Sequence, residues 1–196
     1  MSSVTILTNA EQETNVLTGA DLRTLRKNRS MTLAELASAI GRSVGWVSQV
    51  ERGISQVSEA EVELLAKVLD APLAMLTVAE AESEEEAGRI VRADNRRIVE
   101  HRRDGLFEEL ISPDLTDDFE ILHSTFEAGA SLAEPIQRAT QEIGFIISGK
   151  LDLWFDGDVF TVGPGDSVRI RNEPYRWANP YKKPAIALWV IAPPVY

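Results

Sequence analysis

The spacing of apolar residues changes near the middle of this 196-residue chain, and that change limits the folds it can adopt. From about Thr18 to Leu76 apolar residues recur every three to four positions, as in amphipathic helices. From Phe119 onward they alternate with polar residues, as in strands with one buried face. The acidic stretch from Ala79 to Gly88 lies between the two regions and indicates a linker or an exposed helical extension. The sequence therefore predicts two domains, the first helical and the second built of strands.

The helical region divides into five predicted helices. Their apolar positions are Leu22 and Leu25; Leu33, Leu36, Ala37 and Ile40; Val47 and Val50; Val62, Leu65, Ala66 and Leu69; and Leu73 and Leu76. Residues 32–35 and 58–61 have the spacing of capping boxes, in which a hydroxyl and a carboxylate satisfy the free N–H groups of a helix start. Gly41 and Gly53 are placed to end the second and third helices, where a left-handed conformation favours glycine. We expect a five-helix bundle.

The second region contains several short runs that are rich in β-forming residues. The runs cover 119–126, 143–147, 151–155, 168–170 and 185–191, with turn signals at 128–129, 148–149, 156–157 and 163–166. Many short strands within about a hundred residues favour a closed barrel or a jelly roll.

The composition limits the class of protein. The chain has no cysteine, which excludes disulfide bonds and thiolate metal sites and fits a reducing cytoplasm. No run is long and apolar enough to cross a bilayer, and the first fifteen residues lack the pattern of a signal peptide. We therefore expect a cytoplasmic protein with no membrane partner.

The net charge of −11 argues against nucleic acid as a partner unless the charges are segregated. Acidic residues concentrate at 80–86 and 114–120. The basic residues of the helical region are Arg23, Arg26, Lys27 and Arg29, on and just after the first predicted helix, and Arg42 and Arg52, at the two ends of the third. Because local charge decides phosphate contact, this cluster predicts a DNA-facing surface. The alternative is a solvated helix face.

The segment 32–53 has the features of two short helices joined by a tight turn. The small Ala37 and a glycine turn let the second helix pack closely on the first, while Val47 and Val50 face the core. This segment resembles the phage-repressor or xenobiotic-response-element class of helix-turn-helix domains, and the likeness extends over about residues 17–76. The resemblance implies that the second helix lies in the major groove of double-stranded operator DNA.

The resemblance also implies roles for single residues. The expected base-reading side carries Val44, Gly45, Ser48 and Gln49, and the expected phosphate contacts are Arg42, Ser43 and Arg52. Gln49 can pair with adenine through two hydrogen bonds, and Val44 can touch a thymine methyl group. Thr32 completes the predicted DNA-binding set, although members of the class often carry glutamine at this helix start. The alternative is a helical bundle used for protein contact.

The strand region resembles a cupin domain. The first cupin motif is similar to residues 129–149, and the second is similar to 162–166 continuing to 175–179. The ending 188–196 resembles the close of cupin domains that follow DNA-binding domains of this class. The fold class expected for the whole chain is α+β and multidomain: a five-helix bundle followed by an all-β cupin, or jelly-roll, barrel.

Cupin metal sites use two histidines and a glutamate from the first motif and one histidine from the second. The matching positions in this chain are Ile136, Arg138, Glu142 and Tyr175. Isoleucine cannot bind a metal, arginine repels a cation, and a carboxylate with a phenol is a poor transition-metal site. The only histidines, His101 and His123, match neither place. We therefore predict no metal, no other cofactor and no catalytic residues.

A ligand cavity remains compatible with these replacements. Strand alternation would turn Ile136, Arg138, Glu142, Tyr175 and Trp177 toward the barrel interior. An arginine among aromatic residues suits an anion such as a carboxylate. The alternative is that Arg138 and Glu142 neutralise each other inside a filled barrel.

These features predict a homodimeric, sequence-specific transcriptional repressor whose cupin domain binds a small anionic effector. The expected domains are an arm at 1–16, the helix-turn-helix domain at 17–77, a linker at 78–100 and the cupin barrel at 101–196. Two alternatives remain open. One is a cupin enzyme that carries a DNA-binding targeting domain, and the other is an interaction adaptor with no DNA role.

Overall fold

The computed structural model describes residues 3–7, 15–79, 85–86, 88–99 and 103–195. They form two compact units. The first contains the described residues up to Arg97 together with Pro113–Thr116, and the second contains Ile98–Ser112 and Asp117–Val195.

The first unit is mainly helical. In chain order it contains β1 (Ser3–Leu7), β2 (Asn15–Thr18), α1 (Gly19–Asn28), α2 (Leu33–Ala39), α3 (Val44–Glu51), β3 (Val57–Ser58), α4 (Glu59–Val68), α5 (Leu73–Leu76), β4 (Thr77–Ala79) and a 3-10 helix (Ala93–Asn95). The five predicted helices are confirmed. Within the described part of the chain, none of the helices is long and apolar enough to span a bilayer.

The core of the first unit is made by one face of each helix. Its fully buried side chains include Leu22, Leu25, Leu36, Val47, Val50, Leu65, Leu69, Met75 and Leu76. Nearly all of these are positions that the helical period predicts, because residues three and four apart share one helix face. The fifth helix differs in detail, since Met75 packs inward and Leu73 is exposed.

The predicted helix boundaries are present. Thr32 and Ser58 both take part in capping boxes, with Glu35 and Glu61 as partners. Gly41 has a φ of 67°. The adjoining Arg42 N–H donates to the Ala37 carbonyl at 2.9 Å, which satisfies a carbonyl at the end of α2.

The structure differs from the predicted loose arm at 1–16. β1 lies in that range, and it pairs antiparallel with β2 and parallel with β3, while β2 pairs with β4. The run SVTIL is rich in β-branched residues, which favour strands, but it is too short to show a period. Residues 1–2 and 8–14 of the arm, and 80–84, 87 and 100 of the predicted linker, lie outside the described residues.

A buried ion pair joins the two ends of the first unit. Arg97 donates to one carboxylate oxygen of Asp21 in α1, and the Leu115 N–H donates to the other at 2.9 Å. Arg97 also donates to the Met75 carbonyl at 3.2 Å. Loss of one partner would leave a buried charge uncompensated, so this pair stabilises the unit as long as both residues are present. No local sequence signal predicts it, because Asp21 and Arg97 are 76 positions apart.

The second unit is built of strands. They are β5 (Arg97–Val99), which begins at the boundary of the two units, β6 (Leu106–Leu110), β7 (Glu120–Phe126), β8 (Gln141–Ser148), β9 (Leu151–Phe155), β10 (Asp158–Val162), β11 (Ser167–Arg171), β12 (Tyr175–Ala178) and β13 (Ala185–Ala192). The order β11–β8–β13–β7–β6–β5 forms a six-stranded sheet, and β10–β9–β12 forms a three-stranded one.

The predicted β-rich cupin region is present, but full closure into a barrel is not seen, since the strands of the described residues form these two separately hydrogen-bonded sheets. Side chains from both sheets share one core, in which the rings of Phe126 and Trp177 meet edge to face with centroids 4.8 Å apart. β7 and β8 alternate buried and outward-facing residues along their lengths. Sequence patterns missed β10, because Val159 and Phe160 are both exposed and the strand has no buried face.

Candidate functional site

α3 packs one face against the helical core and exposes the other. Val47 and Val50 are fully buried. On the opposite side Val44 is 46% exposed, and Gly45 and Gln49 are exposed as well. The residues predicted to read bases therefore lie on the outer surface of the first unit.

The start of α3 is organised by a cap and by a cation over an indole ring. The Ser43 hydroxyl accepts the Trp46 N–H at 3.1 Å, and the Arg42 guanidinium lies 5.3 Å from the centre of the Trp46 ring. Arg42 also forms an ion pair with Glu61 of α4. Although burial raises the pKa of Glu61, hydrogen bonds from Ser58 and the charge of Arg42 bring it below its ordinary value. Arg42 is thus partly neutralised before any phosphate arrives.

The second half of α3 carries Gln49, the polar residue that is predicted to contact bases. The Gln49 side-chain oxygen accepts a hydrogen bond from the Ser55 hydroxyl at 2.9 Å. A carbonyl oxygen has two lone pairs, so Gln49 keeps the capacity for both hydrogen bonds to adenine. Arg52 is exposed, and its Nε donates to the Ser48 backbone carbonyl at 3.1 Å. The Ser48 residue is half-buried.

Thr32 lies at the start of α2 and is engaged in the helix cap. Its hydroxyl accepts the Glu35 N–H at 3.2 Å and donates to the Glu35 carboxylate at 2.7 Å. The side chain is exposed, which leaves one hydroxyl lone pair on the surface of the unit.

The predicted DNA-facing basic cluster needs a correction at Arg26. This side chain is nearly buried and donates to both carboxylate oxygens of Glu51, one of them at 3.0 Å, and to the Met31 carbonyl at 2.6 Å. The hydrogen bond to Glu51 raises the pKa of Arg26 by more than burial lowers it. Arg26 therefore fixes the C-terminal end of α3 to α1 and does not face outward.

Arg29 is used in a similar way. Its guanidinium donates to the carbonyl groups of Leu69 and Asp70 at the end of α4, both at 2.6 Å. Of the four basic residues predicted along and after α1, Arg23 and Lys27 have exposed side chains, and no such bond to another described residue holds them to the unit. The basic surface is smaller than the sequence suggests.

Gly19, at the start of α1, allows α1 to approach α3 closely. A Cβ atom at this position would lie 2.3 Å from the Val50 carbonyl oxygen and 2.7 Å from that of Glu51. Sequence reasoning missed Gly19 because the requirement comes from a helix that lies some thirty residues further along the chain.

The second unit has a small cavity of about 30 Å³ that is partly open to solvent. Its lining is Arg103, Leu106, Glu108, Phe126, Arg138, Glu142, Leu153, Tyr175, Trp177, Trp189 and Ile191. Four of the five predicted interior residues are present, and Ile136, which bridges to Tyr175 through the backbone, does not line the cavity. A volume of this size holds one or two water molecules, whereas pockets for drug-sized ligands measure several hundred Å³.

Glu142 is almost wholly buried and receives two hydroxyl donors. Thr140 donates to one carboxylate oxygen at 2.8 Å and Tyr175 to the other at 3.2 Å. Burial and the neighbouring charge of Glu142 raise the pKa of Tyr175 above its ordinary value, so the phenol remains protonated and donates.

Arg138 borders the cavity without a close partner. Its Nη1 lies 3.8 Å from the nearer Glu142 oxygen, which is an ion pair but too long for a hydrogen bond. The side chain is 21% exposed, and none of the hydrogen bonds among the described residues involves it. Its donors can therefore meet an anionic group that enters from solvent.

Other cavity residues have no signal in the sequence. Arg103 and Glu108 add a second cation and a second carboxylate, and Glu108 accepts the Ser124 hydroxyl at 2.9 Å. Gly144 makes room for the indole of Trp189, because a Cβ there would lie 2.6 Å from the ring. Arg103 and Glu108 precede the first predicted strand, so strand patterns could not assign them to the interior.

The residues at the cupin metal positions do not suit a metal ion. Arg138 contributes a cation, and the Glu142 carboxylate is already bound by hydroxyl donors. Within the described residues no group of three or more histidine, cysteine, aspartate or glutamate side chains could hold a metal. His123 points away from the cavity, with its Nδ1 3.2 Å from Glu109, and His101 lies outside the described residues.

Two family models match the chain. One describes a helix-turn-helix domain and matches residues 18–78, and the other describes a cupin domain and matches residues 122–191. The chain therefore carries a helix-turn-helix domain followed by a cupin domain, in the predicted order. These domains support a DNA-binding transcriptional regulator as the class of protein.

Several solved structures are similar to this chain. A crystal structure of an HTH_3 family transcriptional regulator from Vibrio cholerae is 20% identical, with 90% of this chain and 95% of that chain covered and a TM-score of 0.42. The Cupin_2 domain of an XRE family transcriptional regulator from Enterobacter cloacae is 24% identical, with 47% and 100% covered and a TM-score of 0.41. Hydroxypropylphosphonic acid epoxidase from S. wedmorenis is 17% identical, with 88% and 95% covered and a TM-score of 0.43. No curated protein matches this chain in sequence.

Proposed function

We propose that this chain is a sequence-specific transcriptional repressor that reads double-stranded operator DNA with α3. The observation that carries the proposal is the division of α3 into a buried valine face and an exposed face of Val44, Gly45 and Gln49. In helix-turn-helix proteins, the N-terminal residues of the second helix contact base edges in the major groove.

The exposed face supplies different kinds of contact. Gln49 can donate to and accept from adenine, and Val44 can pack on a thymine methyl group. Gly45 has no side chain, so the helix backbone can approach the base edges closely. Arg42 and Arg52, at the two ends of α3, are positioned to meet phosphates, which fix the register of the helix on the duplex.

The cupin domain is proposed to bind a small anionic effector at Arg138. Its guanidinium has unused donors at the cavity, and a carboxylate would form charge-assisted hydrogen bonds with it. Because the cavity measures only about 30 Å³, the effector either has few atoms or displaces lining side chains. The proposed role is sensing and not catalysis, with no metal or other cofactor, since the donor set does not suit a metal ion.

A homodimer on a palindromic operator is part of the proposal. A single domain of this size contacts few bases, whereas two copies related by a two-fold axis read two half-sites. The half-sites are expected one helical turn, or a multiple of it, apart.

The test compares binding of the full chain to DNA from upstream of its own operon and to a scrambled duplex at one salt concentration. We expect Gln49→Ala to weaken specific binding about 10-fold, since a bidentate base contact contributes about 1–3 kcal/mol. Arg52→Ala should weaken binding to both duplexes and reduce the salt slope by about one. Lys182→Ala, an exposed lysine of the second unit, is the control. If both α3 variants bind the upstream DNA as the unaltered chain does, α3 is not the reading helix.

A further inference from the structure

The outer face of the six-stranded sheet carries a group of exposed apolar side chains. On β8, Ile143, Phe145 and Ile147 are 49%, 46% and 43% exposed, and on the neighbouring β13 Val190 is 40% exposed. Their alternate neighbours along β8 are buried, so these three apolar side chains lie on the face of the strand opposite the core. An antiparallel sheet with one face in water normally has polar residues on that face.

The strand register joins these residues into one surface. Directly opposed residues of antiparallel strands lie on the same face of a sheet. Across the sheet, Arg169, Ile143, Val190 and Ile121 form one row, and Ser167, Phe145, Leu188, His123 and Glu109 form the next. The apolar residues occupy β8, β13 and β7, so β13 is the middle strand of this apolar face.

Charged residues lie at opposite edges of the apolar face. Arg169 and Arg171 are exposed on β11 at one edge. Glu109 lies on β6 at the other edge, where its carboxylate is 3.2 Å from His123. A two-fold axis parallel to β13 would place the β11 edge of one copy over the β6 edge of the other. The charges at the two edges are therefore complementary for a second copy of the same chain.

The size of the face fits the centre of a dimer interface. Strands lie about 4.8 Å apart and same-face residues about 6.8 Å apart, so four strands by three residues cover on the order of 400 Å². A standard interface takes about 800 Å² from each partner and surrounds an apolar centre with a polar rim. The apolar residues would supply about half of that area, and the charged edges would supply the rim.

We propose that this sheet face is the homodimer interface, with β13 of one copy against β13 of the other and β11 over the partner's β6. The inference rests on the proposed function, because the reading of a palindromic operator requires two copies. It adds the surface through which the copies associate and the direction of the two-fold axis.

Sedimentation velocity of the full chain without DNA tests the interface. We expect the unaltered chain to have the mass of two copies, and Phe145→Asp to raise the dissociation constant of the dimer at least about 100-fold, since each dimer contains the change twice. Phe160→Asp is the matched control, because Phe160 is 53% exposed on β10 of the other sheet. A monomeric unaltered chain, or a Phe145→Asp dimer as tight as the control, would overturn the proposal.

A charge exchange tests the direction of the axis and does not depend on the apolar substitution. Arg169→Glu is expected to weaken the dimer severalfold, and the double variant Arg169→Glu with Glu109→Arg is expected to restore it. No recovery in the double variant would refute the placement of β11 over β6. Because these measurements contain no DNA, they succeed or fail separately from operator binding, which the Gln49→Ala comparison tests.

Discussion

Gly19 and Gly45 are both helical glycines of the first unit, and their surroundings give them different roles. A Cβ at Gly19 would collide with backbone oxygen atoms of α3, the nearest at 2.3 Å. Among the described residues, and apart from its own helix backbone, a Cβ at Gly45 would come within 4 Å of the Ser43 hydroxyl alone, at 3.9 Å. Glycine inside a helix is about 0.5–1 kcal/mol less stable than alanine, so packing gives no reason for Gly45. Close approach of the α3 backbone to DNA would be a reason for glycine at this position.

The two glycines make a matched pair of substitutions. Gly19→Ala is expected to lower the free energy of unfolding by about 1–3 kcal/mol, because the added methyl group forces α1 away from α3. Gly45→Ala is expected to raise it by about 0.5–1 kcal/mol through helix propensity. Urea denaturation followed by far-ultraviolet circular dichroism measures both.

Operator binding separates the two roles further. Gly45→Ala is expected to bind the upstream DNA more weakly even though it is more stable, because the methyl group lies between the helix and the base edges. A variant that is both more stable and equally tight in DNA binding would contradict the close-approach role of Gly45.

The stability of α2 depends on how its start is capped, since this helix has only seven residues. Short helices are marginal by themselves and rely on caps and packing. The Glu35 carboxylate accepts the Thr32 N–H at 2.7 Å as well as the Thr32 hydroxyl. The backbone hydrogen bond, followed by the hydroxyl bond, lowers the pKa of Glu35 below its ordinary value of 4.5.

Removal of this cap should weaken the first unit. Thr32→Ala is expected to lower the free energy of unfolding by about 1 kcal/mol, whereas Ser38→Ala, at the exposed C-terminal end of the same helix, should cost nothing. Because the pKa of Glu35 is lower in the folded state, its contribution is present above the ordinary value of 4.5 and is lost as the pH falls through the folded pKa. Urea denaturation at about pH 7 and about pH 3 should therefore show a smaller acid loss for Glu35→Gln, and an unchanged loss would refute this cap.

At the scale of the whole molecule, an effector can control DNA binding only if it binds the DNA-bound and DNA-free forms of the protein with different affinities. The coupling is reciprocal, and typical values of about 1–3 kcal/mol change affinity about 5- to 150-fold. The requirement holds whatever the arrangement of the two units. Because the effector is proposed to bind at Arg138, loss of this side chain should remove the response of DNA binding to the effector and leave DNA binding itself intact.

Small carboxylates test this role of Arg138. With formate, acetate or propionate as the probe, we expect the unaltered chain to gain thermal stability and to change its operator affinity, measured by fluorescence anisotropy. Arg138→Gln should lose both responses. Arg176→Gln is the matched control, because Arg176 lies over the Trp154 ring at 4.0 Å and does not line the cavity. A response that survives in Arg138→Gln would assign the effector to another site.

The parts of the fold that follow local rules were predictable, and those that follow distant contacts were not. Both capping boxes and the glycine at the end of α2 are visible in short stretches of sequence, because each involves atoms only a few residues apart. β10 was missed since neither Val159 nor Phe160 is buried, and a strand without a buried face has no alternating pattern. The outward apolar residues of β8 were assigned to strands correctly, but the sequence does not reveal which of them face solvent.

The sequence by itself determined the order of the domains, the five helices and the strands β7, β8, β9, β11 and β13. It also predicts that the cupin metal ligands are replaced. Only the tertiary structure decided which charges are available. Arg26 belongs to a basic cluster in the sequence, yet it is paired with Glu51, a residue 25 positions away. The interior of the second unit likewise contains the predicted Arg138 and Glu142 but leaves only about 30 Å³ between its lining side chains. Helix periods and caps depend on neighbours along the chain, whereas ion pairs and cavity volumes depend on neighbours in space.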